Sequence, residues 1–461
     1  MQFNVKLLKL PQHLLSNIVG NFTIMILSFI KSVLIVRIAT PYFFGIYQYK
    51  FAIFSSLFVF SSTLDFTFLR FFNSEETKPE IFWGHALVKI SFLIFSIILC
   101  QGYLTFAFDD SHNIPAILII AIVAQINSAN FKTLFACIFS LTEEYRLLNA
   151  IEVLFLLLWI VLIWVINYYF KIDGVTFLTL TSSLAIVVDL AFMIYSYIHF
   201  HKIFKTLKYP GFKRSLKIGL YKYKAYFMPY LGSEVAGYMK NYVPSLIFGV
   251  KGDFAAYSYF HVVRKIFFTI HKTFPKILKN MLPTILKHRT RKDFWVKWNE
   301  YFTKYLFFIF TSITVLLFCL PFILNYFYKI NPLDINHFTL FLFSLNLIFG
   351  VIAFSNTMFL QTETNTIPFF WGTIVTNITW VFLLFVATMF QGQREPIIAS
   401  IPTISTILTH SYLVYELKKK SPDILTLNLK LFKIAFIFSV IVYFFSSNFL
   451  ALFNLFLKFI N

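Results

Sequence analysis

Runs of roughly 17–25 mostly apolar residues, long enough to cross a hydrocarbon layer as helices, recur from one end of the chain to the other. They are predicted at 16–37, 44–71, 83–107, 114–139, 147–169 and 174–198, then at 225–249, 254–282, 303–328, 335–360, 366–390 and 396–416. The tail 431–460 is apolar but interrupted at Ser446, Ser447 and Asn448, and reads as two short crossings, for about 14 spans in all. Backbone polar groups in lipid have to be satisfied within the protein, which leaves helical bundles and closed barrels. No alternating strand pattern of about ten residues is present, so the expected class is an all-α polytopic membrane protein. Composition agrees: 58% of the 461 residues are hydrophobic and only 13% charged, against about 45–50% and about 25% in soluble domains. The first run is too long for the apolar core of a secretory signal and lacks a small-x-small cleavage site after Arg37.

Charge sets the orientation. The chain carries 40 Lys and Arg against 20 Asp and Glu, and these lie mainly between the apolar runs. With the N-terminus in the cytoplasm, inner segments hold 27 of the cations and outer segments 5, as the positive-inside rule requires. The longest stretch outside the spans, 199–224, is basic and broken at Pro210-Gly211. Ile203, Phe204 and Leu207 on one side of the break, and Leu216, Ile218 and Leu220 on the other, predict amphipathic pieces on the inner leaflet. This linker divides a lobe of six helices, 1–198, from a second, 225–416, with extra helices at 417–461. An internal echo supports the division: Phe44-Gly45-Ile46-Tyr47-Gln48-Tyr49 returns as Phe254-Ala255-Ala256-Tyr257-Ser258-Tyr259, and Lys31 has its counterpart within one residue of Lys240.

Eight cations remain inside spans, where a lipid-facing ammonium or guanidinium costs at least about 2.5–3.5 kcal/mol. Depth along the helices separates them. Lys50, Lys89, Lys132 and Lys272 are close enough to an interface to be expected to snorkel. Lys31, Lys240 and Arg264 lie about 10–15 Å below the outer face and point to a cationic cavity between the lobes. His261, Arg264, Lys265, Phe268, His271 and Lys272 follow helical spacing and mark one polar face. Among the acids, Asp65 and Glu152 are near the inner interface and are expected to be solvated. Asp189 and Glu234 lie deeper and fit a coupling-ion ligand, a proton relay or a counter-ion. Pro229, Gly232, Gly237 and Pro244 make the seventh span a candidate for hinges.

Chemistry-bearing motifs are missing: there is no phosphate-binding glycine loop, nucleophile elbow, metal-ligand cluster or CxxC pair. Asp109-Asp110, with His112, is the only outward acidic pair and sits on a short loop. No catalytic residue, metal or cofactor is expected, and no nucleic-acid partner.

The segment from Asn17 to Ser56, a span running to Arg37 and Pro41 and then Phe44-Gly45-Ile46-Tyr47, resembles the opening of bacterial polysaccharide (O-antigen type) flippases. Pro229 to Phe267, with its Ala256-Tyr257-Ser258 step, resembles the start of that family's second half. Lys240-Asn241 departs from the polar residues common there. The resemblance implies the multidrug/oligosaccharidyl-lipid/polysaccharide exporter fold, two lobes of six helices opening alternately to either side of the bacterial inner membrane. The implied substrate is a polyprenyl-diphosphate-linked oligosaccharide, flipped for O-antigen, lipopolysaccharide or other surface polysaccharide assembly beside membrane lipids and other assembly proteins. On that reading Lys31, Lys240, Arg264 and Lys265 bind the anionic headgroup, and Asp189 and Glu234 serve coupling or charge balance. The alternatives are a drug or metabolite exporter of the same superfamily and a membrane polymerase or glycosyltransferase. The first would favour acids, and the second would need a larger outer loop.

Overall fold

The computed structural model describes residues 12–56, 65, 68, 78–107, 115–142, 144–250, 252–267, 292–331, 335–362, 367–389, 394–419, 422–448 and 451. All regular structure among them is helical: α1 (Gln12–Ser55), α2 (Lys78–Gly102), α3 (Ala116–Leu141), α4 (Tyr145–Phe170), α5 (Gly174–His199), α6 (His201–Thr206), α7 (Phe212–Val250), α8 (254–267), α9 (Lys292–Phe322), α10 (His337–Thr362), α11 (Ile367–Met389), α12 (Arg394–Lys418) and α13 (Pro422–Ser447). Wider π turns extend α2 through Tyr103–Ala107 and α9 through Ile323–Tyr328. Nine helices among the described residues are long and apolar enough to cross a membrane, and large apolar side chains face outward in helical stripes, such as Leu154, Leu157, Leu158, Val161 and Trp164 on α4. This is a multi-pass membrane protein. The chain divides into two compact units, Met1–Glu234 and Val235–Asn461.

The predicted spans 16–37 and 44–71 share α1, which bends at Thr40 (φ 65°, ψ 153°). Pro41 accounts for the ψ value, because a following proline pushes its predecessor out of the helical region. The positive φ places a β-branched residue where side chains are strained. The corresponding break before α8 falls at Gly252 (φ 75°), where no side chain opposes it.

Two expectations about the linker need correction. The first amphipathic piece, α6, packs on protein: the Trp83 indole N–H donates to the Leu207 carbonyl at 2.7 Å, and Leu207 joins Phe82, Phe139, Phe192 and Phe200 in an apolar cluster. The second piece is the start of α7, which runs unbroken to Val250 through Pro229, Gly232, Gly237 and Pro244. Proline in a membrane helix is accommodated where neighbouring groups re-satisfy the freed backbone, so the candidate hinges show no break. In the tail, α13 ends where the apolar run is interrupted, with Asn448 donating from its backbone and side-chain amides to Phe444 O at 3.1 and 2.8 Å. A further crossing lies outside the described residues.

In the first unit, α1 packs on α4 and α5, and α3 on α2 and α5. The α4–α5 turn is set by Lys171 in the left-handed region and by Asp173, which caps α5 through Val175 N–H (2.9 Å) and Thr176 N–H (3.0 Å). Gly174 follows because the backbone comes too close for anything larger: a Cβ there would stand 2.6 Å from Ala39 O, beside the Thr40 bend. Deeper in this unit, Asp65 accepts from His85 Nε2 at 2.7 Å, Lys89 Nζ at 2.9 Å and Thr133 Oγ1 at 2.7 Å. Lys89 also donates to Asn130 O, Asn130 Oδ1 and Thr133 Oγ1. Lys89 is fully buried, so it does not snorkel, and Asp65 is its half-buried counter-ion rather than a solvated acid.

Two outcomes follow for unfolding of the purified protein in detergent. Lys89→Met removes the ammonium facing Asp65, leaving His85 and Thr133 as its donors, and should cost about 3–5 kcal/mol, while adding Asp65→Leu should recover part of that loss. At the α4–α5 turn, the Thr176 hydroxyl and two backbone N–H groups hold the Asp173 carboxyl below its ordinary value. Its stabilisation is therefore complete above about pH 3.9 and is lost as pH falls through the depressed value. Asp173→Ala should cost about 0.5–2 kcal/mol at neutral pH and nothing at pH values below that titration.

Candidate functional site

Four helices of the first unit present charge to one cavity of about 240 Å³. Helical spacing explains why these positions converge. Ile24 and Lys31 lie two turns apart on α1; Glu152, Phe155, Leu156 and Trp159 fall on one face of α4; Ala185, Val188 and Asp189 share a face of α5; and Lys132 reaches in from α3.

The Lys31 ammonium sits 4.0 Å from the centre of the Trp159 ring, a cation–π contact worth about 2 kcal/mol when desolvated. Trp159 is buried and fixed by its indole N–H, which donates to Thr181 O at 3.4 Å. Lys132 Nζ lies 3.4 Å from Asp189 Oδ1 and 5.0 Å from the Phe192 ring centre. The other carboxylate oxygen of Asp189 accepts from Ser128 Oγ at 2.9 Å. The walls thus carry two cations and two carboxylates around a space large enough for a small polar group.

Of the residues singled out from sequence, Lys31 and Asp189 meet here. Glu234 is half-buried on α7 and does not line the cavity. In the second unit, Arg264 on α8 is buried and donates to the backbone carbonyl and side chain of Asn241 on α7, at 3.2 and 3.4 Å. Tyr257 and His261 bond to each other beside it at 3.1 Å, and Lys265 is half-buried. The side chain of Lys240 lies outside the described residues, as do His271, Lys272, Asp109, Asp110 and His112. His410 meets Asn356 at 3.1 Å and packs 4.9 Å from the Phe432 ring centre.

Two lining residues were placed elsewhere by depth alone. Lys132 does not snorkel but pairs with Asp189, and Glu152 faces the cavity rather than bulk water. Lys50 was likewise expected to reach an interface, yet it is buried and donates to the Tyr103 hydroxyl. Trp159 had no sequence signal beyond falling a helical step from Glu152. The three cysteines are unbonded, and the described residues hold no His/Cys/Asp/Glu group suited to a metal.

No protein family and no curated protein matches the sequence. Solved structures do match the fold. The chain is similar to the lipid II flippase MurJ in an inward closed conformation, with 18% identity and a TM-score of 0.66 over 93% of this chain and 97% of that one. An inward-facing multidrug resistance MATE transporter of the MOP superfamily matches at 12% identity and a TM-score of 0.56, over 88% and 99% of the two chains. An outward-facing MATE transporter matches at 10% identity and a TM-score of 0.50, over 88% and 94%. These neighbours are transporters, and the chain shares their helical fold.

Proposed function

We propose that this protein flips a polyprenyl-diphosphate-linked oligosaccharide from the cytoplasmic to the outer leaflet of a bacterial inner membrane by alternating access, for O-antigen or related surface polysaccharide assembly. The observation that carries the reading is the pair Lys31 and Lys132 in one cavity of a flippase-like fold. A diphosphate is recognised by ammonium groups held where water competes weakly, and the lipid tail can remain in the bilayer while the headgroup enters. Arg264, Lys265 and Lys240 are proposed as further headgroup-binding residues. Asp189 and Glu234 balance charge or couple an ion, and the N-terminus is cytoplasmic.

A second reading, a drug exporter, is favoured by Asp189 and Glu152, which would suit a cationic substrate, and by the MATE-like fold.

Mass spectrometry of the lipid-linked sugar pool after deletion of the gene separates the two. The expected result is accumulation of complete carrier-linked repeat units with loss of surface polysaccharide. An unchanged pool with altered efflux of cationic drugs would replace the flippase by the exporter. Complementation with Lys31→Gln or Lys132→Gln should lower flux about 10–100-fold at wild-type protein level, the worth of one charge-assisted hydrogen bond. Full complementation by both would remove the headgroup assignment.

A further inference from the structure

The linker between α5 and α7 is held to the first unit on both sides of its Pro210-Gly211 break. On one side, Trp83 donates to Leu207 O at 2.7 Å and packs edge-on against Tyr209, with ring centres 5.3 Å apart. On the other, Arg214 donates to Glu80 at 2.8 Å. Glu80 and Trp83 are neighbours three residues apart at the start of α2. The lysines on either side of the break are thereby brought together at that end of the helices.

The face left outward is cationic. Ile203, Phe204 and Leu207 turn toward protein, and helical spacing turns Lys202 and Lys205 the other way. Lys202, Lys205, Lys208, Lys213 and Lys217 are all exposed, and none has an ion pair among the described residues. The neighbouring acids are already engaged, Glu80 by Arg214 and Glu144 by His199, each at 2.8 Å.

Apolar side chains share this face: Tyr209 and Phe212, 51% and 59% exposed, stand among the lysines. The position relative to lipid follows from α5. Its outward stripe of Val187, Leu190, Ile194 and Ile198 continues to the end of the span at His199, and Lys202 follows within one turn. The lysines therefore lie where hydrocarbon gives way to headgroups, and the exposed aromatic rings take the place of an interfacial belt. A soluble anion would meet the ammonium groups but leave Tyr209 and Phe212 in water. A phospholipid offers phosphate and acyl chain together.

We propose that this face binds anionic phospholipid of the adjoining leaflet, with phosphate on the five lysines and the upper acyl chain on Tyr209 and Phe212. The lipid supplies the counter-charge for these ammonium groups and relieves the repulsion between the two pieces of the linker. The site is independent of the transported substrate.

Photo-crosslinking in the full-length protein tests this. p-Benzoylphenylalanine replaces Phe212, or Val161 on the outward face of α4 as the bulk-lipid control, and each protein is irradiated in phosphatidylethanolamine–phosphatidylglycerol vesicles. Mass spectrometry should find the phosphatidylglycerol share of lipid adducts several-fold higher at position 212 than at 161. A lysine beside an anionic surface is worth about fivefold in binding, so K202Q/K205Q/K208Q should remove the enrichment, and K202R/K205R/K208R should keep it. Raising the salt concentration should weaken it, because the face is open to solvent. Equal shares at the two positions, or enrichment unchanged by the three glutamines at low salt, would overturn the proposal. So would an absence of lipid adducts at 212, which would leave the face in water for a soluble acidic partner.

Discussion

An ammonium group inside hydrocarbon must either reach an interface along its own chain or be held by the protein. The second solution organises the first unit. Lys89 binds Asp65, Asn130 and Thr133, Lys132 binds Asp189, Lys31 lies over Trp159, and Lys50 reaches Tyr103. Each contact joins helices that apolar packing alone would leave free to slide, because lipid is as good a neighbour for leucine as another helix is. A buried ion pair adds little net stability, but losing one partner is expensive. The network therefore selects one register of these helices more than it strengthens them.

The seams described in the second unit use uncharged groups for the same purpose. Thr376 meets Thr409 at 2.6 Å, joining α11 to α12. Thr403 donates to Leu342 O at 3.1 Å, and Asn356 meets His410, joining α10 to α12. Arg264 is the charged member, and it too is held by protein, at Asn241. Small hydroxyl and amide groups let helices approach closely, at roughly 1–2 kcal/mol or less per contact, so register here is spread over many weak bonds.

This difference explains what was legible in the sequence. Apolar run length located α3, α4 and α5 to within two residues at each end, because a span has to match the hydrocarbon thickness and its ends carry polar groups. The same logic found the stop at Ser446–Asn448. Depth is a coordinate along the helix axis. It says nothing of azimuth. Lys89 and Lys132 have an interface within reach of their stems, yet their helices turn them toward Asp65 and Asp189, carboxylates more than twenty and more than fifty residues away in sequence. The linker misled for a related reason. Its periodicity marked an apolar face correctly, but periodicity does not say whether lipid or protein covers that face, and Trp83 and Phe82 on α2 do.

The pocket's own charge balance constrains how it can work under the flippase reading. Two ammonium groups face two carboxylates, and Lys132 is already engaged by Asp189. An entering diphosphate therefore competes with Asp189 for the same cation, and its binding and the opening of that pair are a single event. The free energy of the pair is subtracted from headgroup affinity, which keeps binding weak enough for release on the far side. Asp189 does not lose all its partners in the exchange, because Ser128 still donates to it. The released carboxylate keeps a neutral hydrogen bond but loses its counter-charge, so the loaded pocket carries net negative charge in a poorly hydrated site. That cost falls on whichever conformation is least hydrated, and it disfavours the occluded state relative to states open to water. The same carboxylate that limits affinity thus also opposes long occupancy of a closed, loaded pocket.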